Sequence, residues 1–104
     1  MLFDLDVRSR AVTLGKIADV LQARGQLDEA LRIRQEEELP TYERLGARRD
    51  ILVARANIAL TLRRRNAPGD RDEAIRLLRL ALEDARAMRI PEAGQIEAIL
   101  QEIG

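Results

Sequence analysis

Hydrophobic residues recur along this chain at the spacing of a helix face. The first clear set is Leu14, Ile17, Ala18 and Leu21. The same spacing runs through residues 51–62, and again through residues 96–103 near the C-terminus. Apolar positions at i, i+3, i+4 and i+7 predict amphipathic α-helices whose apolar faces form the core.

Residues that start and stop helices separate these segments. Gly25 is expected to close the first helix in a left-handed conformation, and Asp28 to cap the next one. NAPG at 66–69 breaks the chain again, with Asp70 or Asp72 as the following cap. We therefore expect an all-α fold in a single domain over residues 1–104, with five helices at about 8–24, 28–45, 48–65, 71–88 and 92–103.

One nine-residue pattern occurs twice. GQLDEALRI at 25–33 and GDRDEAIRL at 69–77 agree at seven of nine positions when Leu and Ile count as equivalent. The two stretches are 44 residues apart, whereas upstream Ile17-Ala18 matches Ile58-Ala59 at an offset of 41. Each copy is therefore predicted to be an antiparallel helical hairpin, and the second copy has the longer turn.

Small residues recur at matching positions of the two copies. Ala18 and Ala30 flank the first turn, and Ala59 and Ala74 flank the second. A small side chain lets two helix backbones approach closely near a turn. Alanine is also simply a favourable helix former, but its recurrence in register favours a role in helix packing.

Composition narrows the possible chemistry. The chain is 46% hydrophobic and 35% charged but only 2% aromatic, so Leu, Ile, Val and Ala must build its core. Without Cys and His it lacks thiol nucleophiles, disulfides, an imidazole base and the usual zinc ligands. No apolar run approaches the ~20 residues of a membrane span, and Asp4 and Asp6 argue against a signal peptide. We expect a cytoplasmic protein without cofactor, metal or membrane partner.

Charge is balanced overall but unevenly spread. The 18 basic and 18 acidic residues cancel, while residues 1–46 carry −2, residues 47–90 carry +5 and residues 91–104 carry −3. A neutral chain with so few aromatics gives no reason to expect nucleic-acid binding. A basic middle between acidic ends is compatible with self-association.

At the matched positions the chain resembles the tetratricopeptide repeat. The first copy fills the family's pattern with Ile17, Ala18, Leu21, Gly25, Leu27 and Ala30. The second fills it with Ile58, Ala59, Leu62, Gly69, Arg71 and Ala74, followed by Leu78 and Ala81. The period is similar to the longer repeats of kinesin light chains and bacterial arrays. Over about residues 8–90 the resemblance implies two repeats, 8–45 and 48–88, stacked as a right-handed α-solenoid and closed by a capping helix at 92–103.

Three residues in the second helix depart from the family pattern. Arg34 and Glu37 stand where the family has an apolar residue and Ala, and at this spacing we expect them to form a salt bridge. Pro40 removes one backbone hydrogen bond, so it should kink the helix near residues 36–40. Beyond it, Tyr42 and Leu45 are expected to continue the core.

The resemblance implies protein binding rather than catalysis. The first helix of each repeat lines a concave groove in this family. The corresponding positions here are Val12, Lys16, Asp19 and Gln22 in the first repeat and Val53, Asn57, Leu60, Arg63 and Arg64 in the second. One subgroup clamps a partner's C-terminal carboxylate with Lys and Asn, but Gly15 and Asp19 occupy clamp positions and only Asn57 fits.

The arginine run at 63–65 has two interpretations. It is either a set of cations at a helix C-terminus, which the helix dipole favours, or an anion-binding edge of the groove. An enzyme is not expected, since no catalytic constellation occurs at motif spacing.

The partner is expected to be a protein or peptide, and a second copy of the chain is one candidate. About three repeats are usual in a stable array, so the first hairpin lacks a neighbour near Val12 and Leu14. Either MLFDLDV folds back to cover that side or another copy does, and we expect a homodimer through the N-terminal helices. The alternatives are a purely structural homo-oligomerisation domain and a fragment of a larger sensor array attached to a signalling or nucleotide-binding protein.

Overall fold

All secondary structure in the described part of the chain is helical. A computed structural model describes the backbone of residues 2–103 and the side chains of residues 6–103. The five helices are α1 (Leu2–Ala23), α2 (27–45), α3 (Arg48–Arg65), α4 (Asp70–Met88) and α5 (Glu92–Ile103). The all-α prediction is therefore confirmed for residues 2–103. In that range no helix is both long enough and apolar enough to cross a bilayer.

Helix α1 begins earlier than the hydrophobic pattern predicts. It was expected to start near residue 8, but the chain is helical from Leu2. Residues 2–7 therefore lengthen α1. The prediction that MLFDLDV folds back over the first hairpin is wrong for these six residues. Met1 lies outside the described residues.

A glycine turn ends α1, as the sequence predicts. Gly25 has φ +79°, which few residues other than glycine adopt readily. The Gly25 N–H donates to the Gln22 carbonyl at 3.0 Å, and the Gln26 N–H donates to the Leu21 carbonyl at 2.9 Å. These two bonds satisfy carbonyl groups that the last turn of a helix otherwise leaves unpaired.

Aspartate does not cap the second helix of either hairpin, so those predictions are wrong. Gln26 and Gly69 hold the capping positions of α2 and α4, and neither makes a side-chain capping bond. Asp28 and Asp70 lie inside the first helical turn, where a carboxylate still interacts favourably with the dipole. The Asp70 carboxylate instead accepts the Ala67 N–H at 2.9 Å, which fixes the chain just before α4.

A π-helical turn interrupts α2 at Arg34–Glu38. The segments on either side, Leu27–Ile33 and Leu39–Leu45, are α-helical. The Leu39 N–H donates to the Arg34 carbonyl, five residues back instead of four. Pro40 has no N–H to donate to the carbonyl of Glu36, which explains why the α-helical ladder is broken just before it.

Helices α2 and α4 end in the same kind of turn. Gly46 and Arg89 have φ +64° and +56°, and each is followed by an N–H that donates to a carbonyl five residues back at 3.2 Å. Counted from the equivalent Ala30 and Ala74, the two turns come 16 and 15 residues later. Between the matched alanine and the turn, α2 thus contains one residue more than α4, and the wider π-helical turn accommodates this extra residue.

Consecutive helices pack antiparallel. Between α3 and α4, Arg65 pairs with Asp70 near the turn at 2.7 Å, and Arg55 pairs with Asp84 further along at 3.3 Å. Alternate helices are joined at matching levels and run parallel. Helices α1 and α3 are joined by the Arg8–Asp50 ion pair (2.9 Å) and by a hydrogen bond from Arg64 to the Gln22 carbonyl (2.8 Å). Helices α3 and α5 are joined by the ion pairs Arg49–Glu92 (2.6 Å) and Arg63–Glu102 (3.2 Å).

The core is built from aliphatic side chains of all five helices. Its largest cluster lies between α3 and α4, and includes Leu31 from α2 and Ile96 from α5. A second cluster of Ala11, Tyr42 and Ala54 joins α1, α2 and α3. The described part measures 43 × 33 × 18 Å, and a thickness of 18 Å suits two layers of helices about 10 Å wide.

The four alanines that flank the turns have no exposed surface. Ala18 and Ala30 lie in one small cluster with Ile33, and Ala59 and Ala74 both belong to the largest cluster. In each hairpin a small residue from both helices is therefore at the buried contact between them.

Candidate partner-binding surface

A cleft between α3 and α5 contains part of the predicted groove. Val53, Asn57 and Leu60 are half-buried and line a cavity of about 260 Å³. The remaining wall and floor come from Leu52 and Ala56 on α3 and from Glu92, Gln95, Ile96 and Ile99 on α5. We call this cavity the α3–α5 cleft.

Helix α5 contributes half of the cleft, which sequence reasoning missed. The C-terminal helix was assigned only as a cap, so its polar positions were not considered. Glu92, Gln95 and Ile99 are spaced by three and four residues, so they share one face of the helix. That spacing was the available signal for the second wall of the cleft.

Glu92 places a carboxylate in the wall of the cleft, where it is paired with Arg49. Its carboxylate accepts a hydrogen bond from the Arg49 Nε at 2.6 Å. This bond holds the pKa of Glu92 below its ordinary value of 4.5, so the carboxylate is ionised at neutral pH. The side-chain amides of Asn57 and Gln95 add hydrogen-bond donors and acceptors.

The predicted groove residues of α1 do not share this cleft. Val12 is 40% exposed, and Lys16 lies in a separate shallow depression of about 400 Å³ on α1. That depression is lined by Thr13, Lys16, Ile17, Val20, Leu21 and Arg24, which we call the outer face of α1. Lys16 is therefore not brought together with Asn57.

Asp19 and Gln22 turn towards a buried arginine of α2. The Arg34 side chain is 3% exposed, and its Nη2 donates to Asp19 Oδ1 at 2.6 Å and to Gln22 Oε1 at 3.3 Å. Its Nε donates to the Thr61 hydroxyl at 3.2 Å. Arg34 thus joins α1, α2 and α3, and the two groove residues serve an internal contact.

The predicted Arg34–Glu37 salt bridge is wrong. Glu37 pairs with Arg32 at 3.1 Å, whereas Glu38 lies 3.6 Å from Arg34 and is buried with it. Burial raises the pKa of Glu38 above its ordinary value of 4.5, and the Arg34 guanidinium offsets part of this rise. The π-helical turn that holds both residues was not foreseen, so the sequence pattern paired the wrong glutamate.

A glycine on α1 makes room for Glu38. A Cβ atom placed on Gly15 would lie 2.5 Å from Glu38 Oε2, which is closer than such atoms approach in proteins. Among the described residues, neither Arg34 Nη1 nor Glu38 Oε1 has a hydrogen-bond partner. We call the buried residues Arg34, Glu38 and Thr61 the buried polar cluster; the half-buried Gln22 and the exposed Asp19 border it.

The arginine run at the end of α3 is engaged within the chain. Arg63 pairs with Glu102, and Arg64 donates to the Gln22 carbonyl. Arg65 pairs with Asp28 at 3.0 Å and with Asp70 at 2.7 Å. The three arginines that were expected to form an anion-binding edge therefore all contact acceptors within the chain.

Comparison with protein-family models, with curated proteins and with solved structures found no match to this chain. Its function is therefore argued from its own residues. Among the side chains of residues 6–103, no group of three or more acidic residues is placed to hold a metal ion. The α3–α5 cleft is a concave surface that combines apolar walls with hydrogen-bonding side chains.

Proposed function

We propose that this chain is a non-enzymatic interaction module that binds a peptide segment of another protein in the α3–α5 cleft. The observation that carries the proposal is the lining of the cleft: apolar walls from Val53, Leu60 and Ile99 beside the amides of Asn57 and Gln95. Apolar walls take up a side chain of the ligand. The amides pair with the polar backbone of an extended segment.

The proposal includes an architecture similar to the tetratricopeptide repeat: two helical hairpins and a final helix in a right-handed α-solenoid. Parallel alternate helices support it, since stacked hairpins place equivalent helices side by side. The matching turns at Gly46 and Arg89 support it as well, because each leads into a helix that begins the next unit. In such an array α5 takes the place of the first helix of a third repeat.

The volume of the cleft favours peptide side chains over a small molecule. Pockets for cofactors and metabolites usually measure about 300–1,000 Å³ and enclose most of the ligand. At about 260 Å³, the α3–α5 cleft suits one or two side chains of a longer ligand. The Glu92 carboxylate is already paired with Arg49, so the apolar walls rather than charge are expected to select the ligand.

Display selection tests this proposal. A library of random peptides is selected against the purified chain, and the affinities of recovered peptides are measured by fluorescence anisotropy. We expect enrichment of one apolar residue in an extended segment, with dissociation constants in the micromolar range or weaker, which corresponds to a binding free energy of about −8 kcal/mol or weaker. Leu60→Glu and Asn57→Ala are expected to weaken binding by about tenfold or more.

A matched control separates the cleft from general effects of charge. Leu80 on α4 is a 39% exposed apolar residue away from the cleft, so Leu80→Glu should leave the affinity unchanged. If no peptide is enriched, or if Leu80→Glu weakens binding as much as Leu60→Glu does, the cleft is not the binding site.

A further inference from the structure

The two ends of the helical stack differ in polarity. On the outer face of α1, Ile17 and Val20 are 44% and 51% exposed. At the other end, α5 presents Glu97, Gln101 and Glu102 to solvent, and among the described residues it holds no exposed large apolar side chain. The C-terminal end therefore has a polar surface, whereas the outer face of α1 leaves apolar side chains in water.

We infer that a second copy of this chain covers the outer face of α1, with the two α1 helices antiparallel about a two-fold axis. Charge placement supports this occupant. Asp6 and Arg24 are both exposed and are 18 residues apart, which is about five helical turns, so they lie on the same side of α1. Among the described residues neither has an ion-pair partner.

These charges define one register for the two helices. When the two-fold axis passes at the level of residue 15, Asp6 of each copy lies opposite Arg24 of the other. The dimer then has two such ion pairs, which are about 27 Å apart along the helix axis. The same register puts Ile17 opposite Thr13 of the second copy, and Val20 beside the aliphatic stem of Arg10. A surface that meets itself in this way is self-complementary, as a two-fold interface requires.

Charge disfavours the neighbouring register. Moving the axis to the level of residue 17 slides one helix past the other by about one turn and brings Arg10 opposite Arg24. Two arginines facing each other repel. The charges therefore favour the register at residue 15 over this one.

End-to-end stacking is the competing arrangement, with α1 of one copy on α5 of the next. It is disfavoured because Glu97 and Glu102 of α5 already pair with Arg86 and Arg63. The exposed side of α5 also offers Ile17 and Val20 no large apolar side chain. A two-fold dimer leaves α5 and the α3–α5 cleft free, so this inference and the proposed function succeed or fail separately.

Sedimentation velocity and light scattering over a wide range of concentration test the dimer. The chain is expected to reach twice its mass of 11.8 kDa and to stop there. Val20→Glu should give the monomer, whereas Leu80→Glu, which adds the same charge at an exposed apolar residue of α4, should leave the dimer intact. Circular dichroism checks that each variant is folded.

Charge reversal tests the register. Asp6→Arg and Arg24→Asp should each raise the dissociation constant of the dimer by about tenfold, because each change replaces two attractions by two repulsions. The double variant Asp6→Arg/Arg24→Asp should restore the affinity of the original chain. A mass of 11.8 kDa at every concentration would overturn the inference, as would masses that keep growing beyond the dimer or a double variant as weak as the single ones.

Discussion

Arg34 and Glu38 place charge where the second hairpin has apolar packing. Arg34 follows Ala30 by four positions, just as the fully buried Leu78 follows Ala74. Burying an ion pair removes both charges from water, and only short contacts recover the lost solvation free energy. The distance of 3.6 Å between Arg34 and Glu38 is longer than a hydrogen bond. We therefore expect the buried polar cluster to select which helices meet, while adding little net stability.

Gly15→Ala tests the space that Glu38 needs. The new methyl group would displace a buried carboxylate, so the free energy of unfolding is expected to fall by about 1–3 kcal/mol. Gly94→Ala is the control, because Gly94 also lies within a helix but has no atom within 4 Å of an added Cβ. It should raise stability by about 0.5–1 kcal/mol through helix propensity. Equal effects of the two variants in urea titrations would mean that Glu38 moves away without cost.

Asp70 provides a pH-dependent contribution to stability. Arg65 donates two hydrogen bonds to this carboxylate, which lowers its pKa from 3.8 to about 2. Because the folded pKa is depressed, the contribution is complete above about pH 4 and is lost as the pH falls through 2. Asp70→Asn should therefore lower the urea midpoint at neutral pH, and the difference from the original chain should shrink between pH 4 and pH 2.

The neighbouring Asp72 supplies the control for that prediction. It is exposed in the same helical turn, and among the described residues it has no ion-pair partner. Asp72→Asn should change the midpoint little at any pH. A difference between Asp70→Asn and the original chain that persists unchanged at pH 2 would contradict the assigned role of the carboxylate.

At the scale of elements, periodicity and turn residues predicted the number of helices and most of their ends. Predicted and observed bounds agree at 48–65 and at 92–103, where strong breaks flank a regular apolar stripe. The start of α1 was missed because residues 2–7 show no regular helical stripe. The π-helical turn was missed because periodicity averages over several turns and cannot detect one extra residue.

The candidate site was predicted only in part, for a similar reason. Val53, Asn57 and Leu60 were expected in a groove and do line the cleft, because the face of a straight helix follows from residue spacing alone. The directions of Asp19 and Gln22 depend on Arg34, a residue from another helix. Contacts between elements of this kind are set by tertiary packing, which a single sequence does not reveal.

Deleting Gln35 tests the π-helical turn of α2. Gln35 is exposed within that turn, and its removal should take out the extra residue while both flanking segments keep their packing faces, leaving only the hydrogen bond that Pro40 cannot make. Deleting the exposed Arg79 from regular helix α4 should instead rotate everything after it by about 100° and unfold the chain. Thermal melts followed by circular dichroism compare the two deletions. Equal loss of structure would contradict the interpretation that the π-helical turn accommodates one extra residue.

The whole molecule is proposed to be a short array of equivalent units, which makes its length adjustable. In an array each unit contacts only its neighbours, so stability is a sum of local terms. In the proposed array residues 47–89 are taken as one unit, since the turn at Arg89 matches the turn at Gly46. A chain in which 47–89 is repeated once after Arg89 should keep native junctions on both sides.

That extended chain is expected to fold as a longer array. The dependence of its unfolding free energy on urea should be about 40% steeper, in proportion to the added surface buried on folding. Its helical signal per residue should stay the same. Aggregation, or a urea dependence equal to that of the original chain, would show that the units are not interchangeable.

The most direct test of the proposed function is a titration of the isotope-labelled chain with a selected peptide, followed by amide chemical shifts. Binding in the α3–α5 cleft should shift the amides of Val53, Asn57, Leu60 and Gln95 in a saturable way. The amides of Ile17 and Val20, on the outer face of α1, should stay in place. Shifts that concentrate on α1, or shifts that do not saturate, would contradict the account.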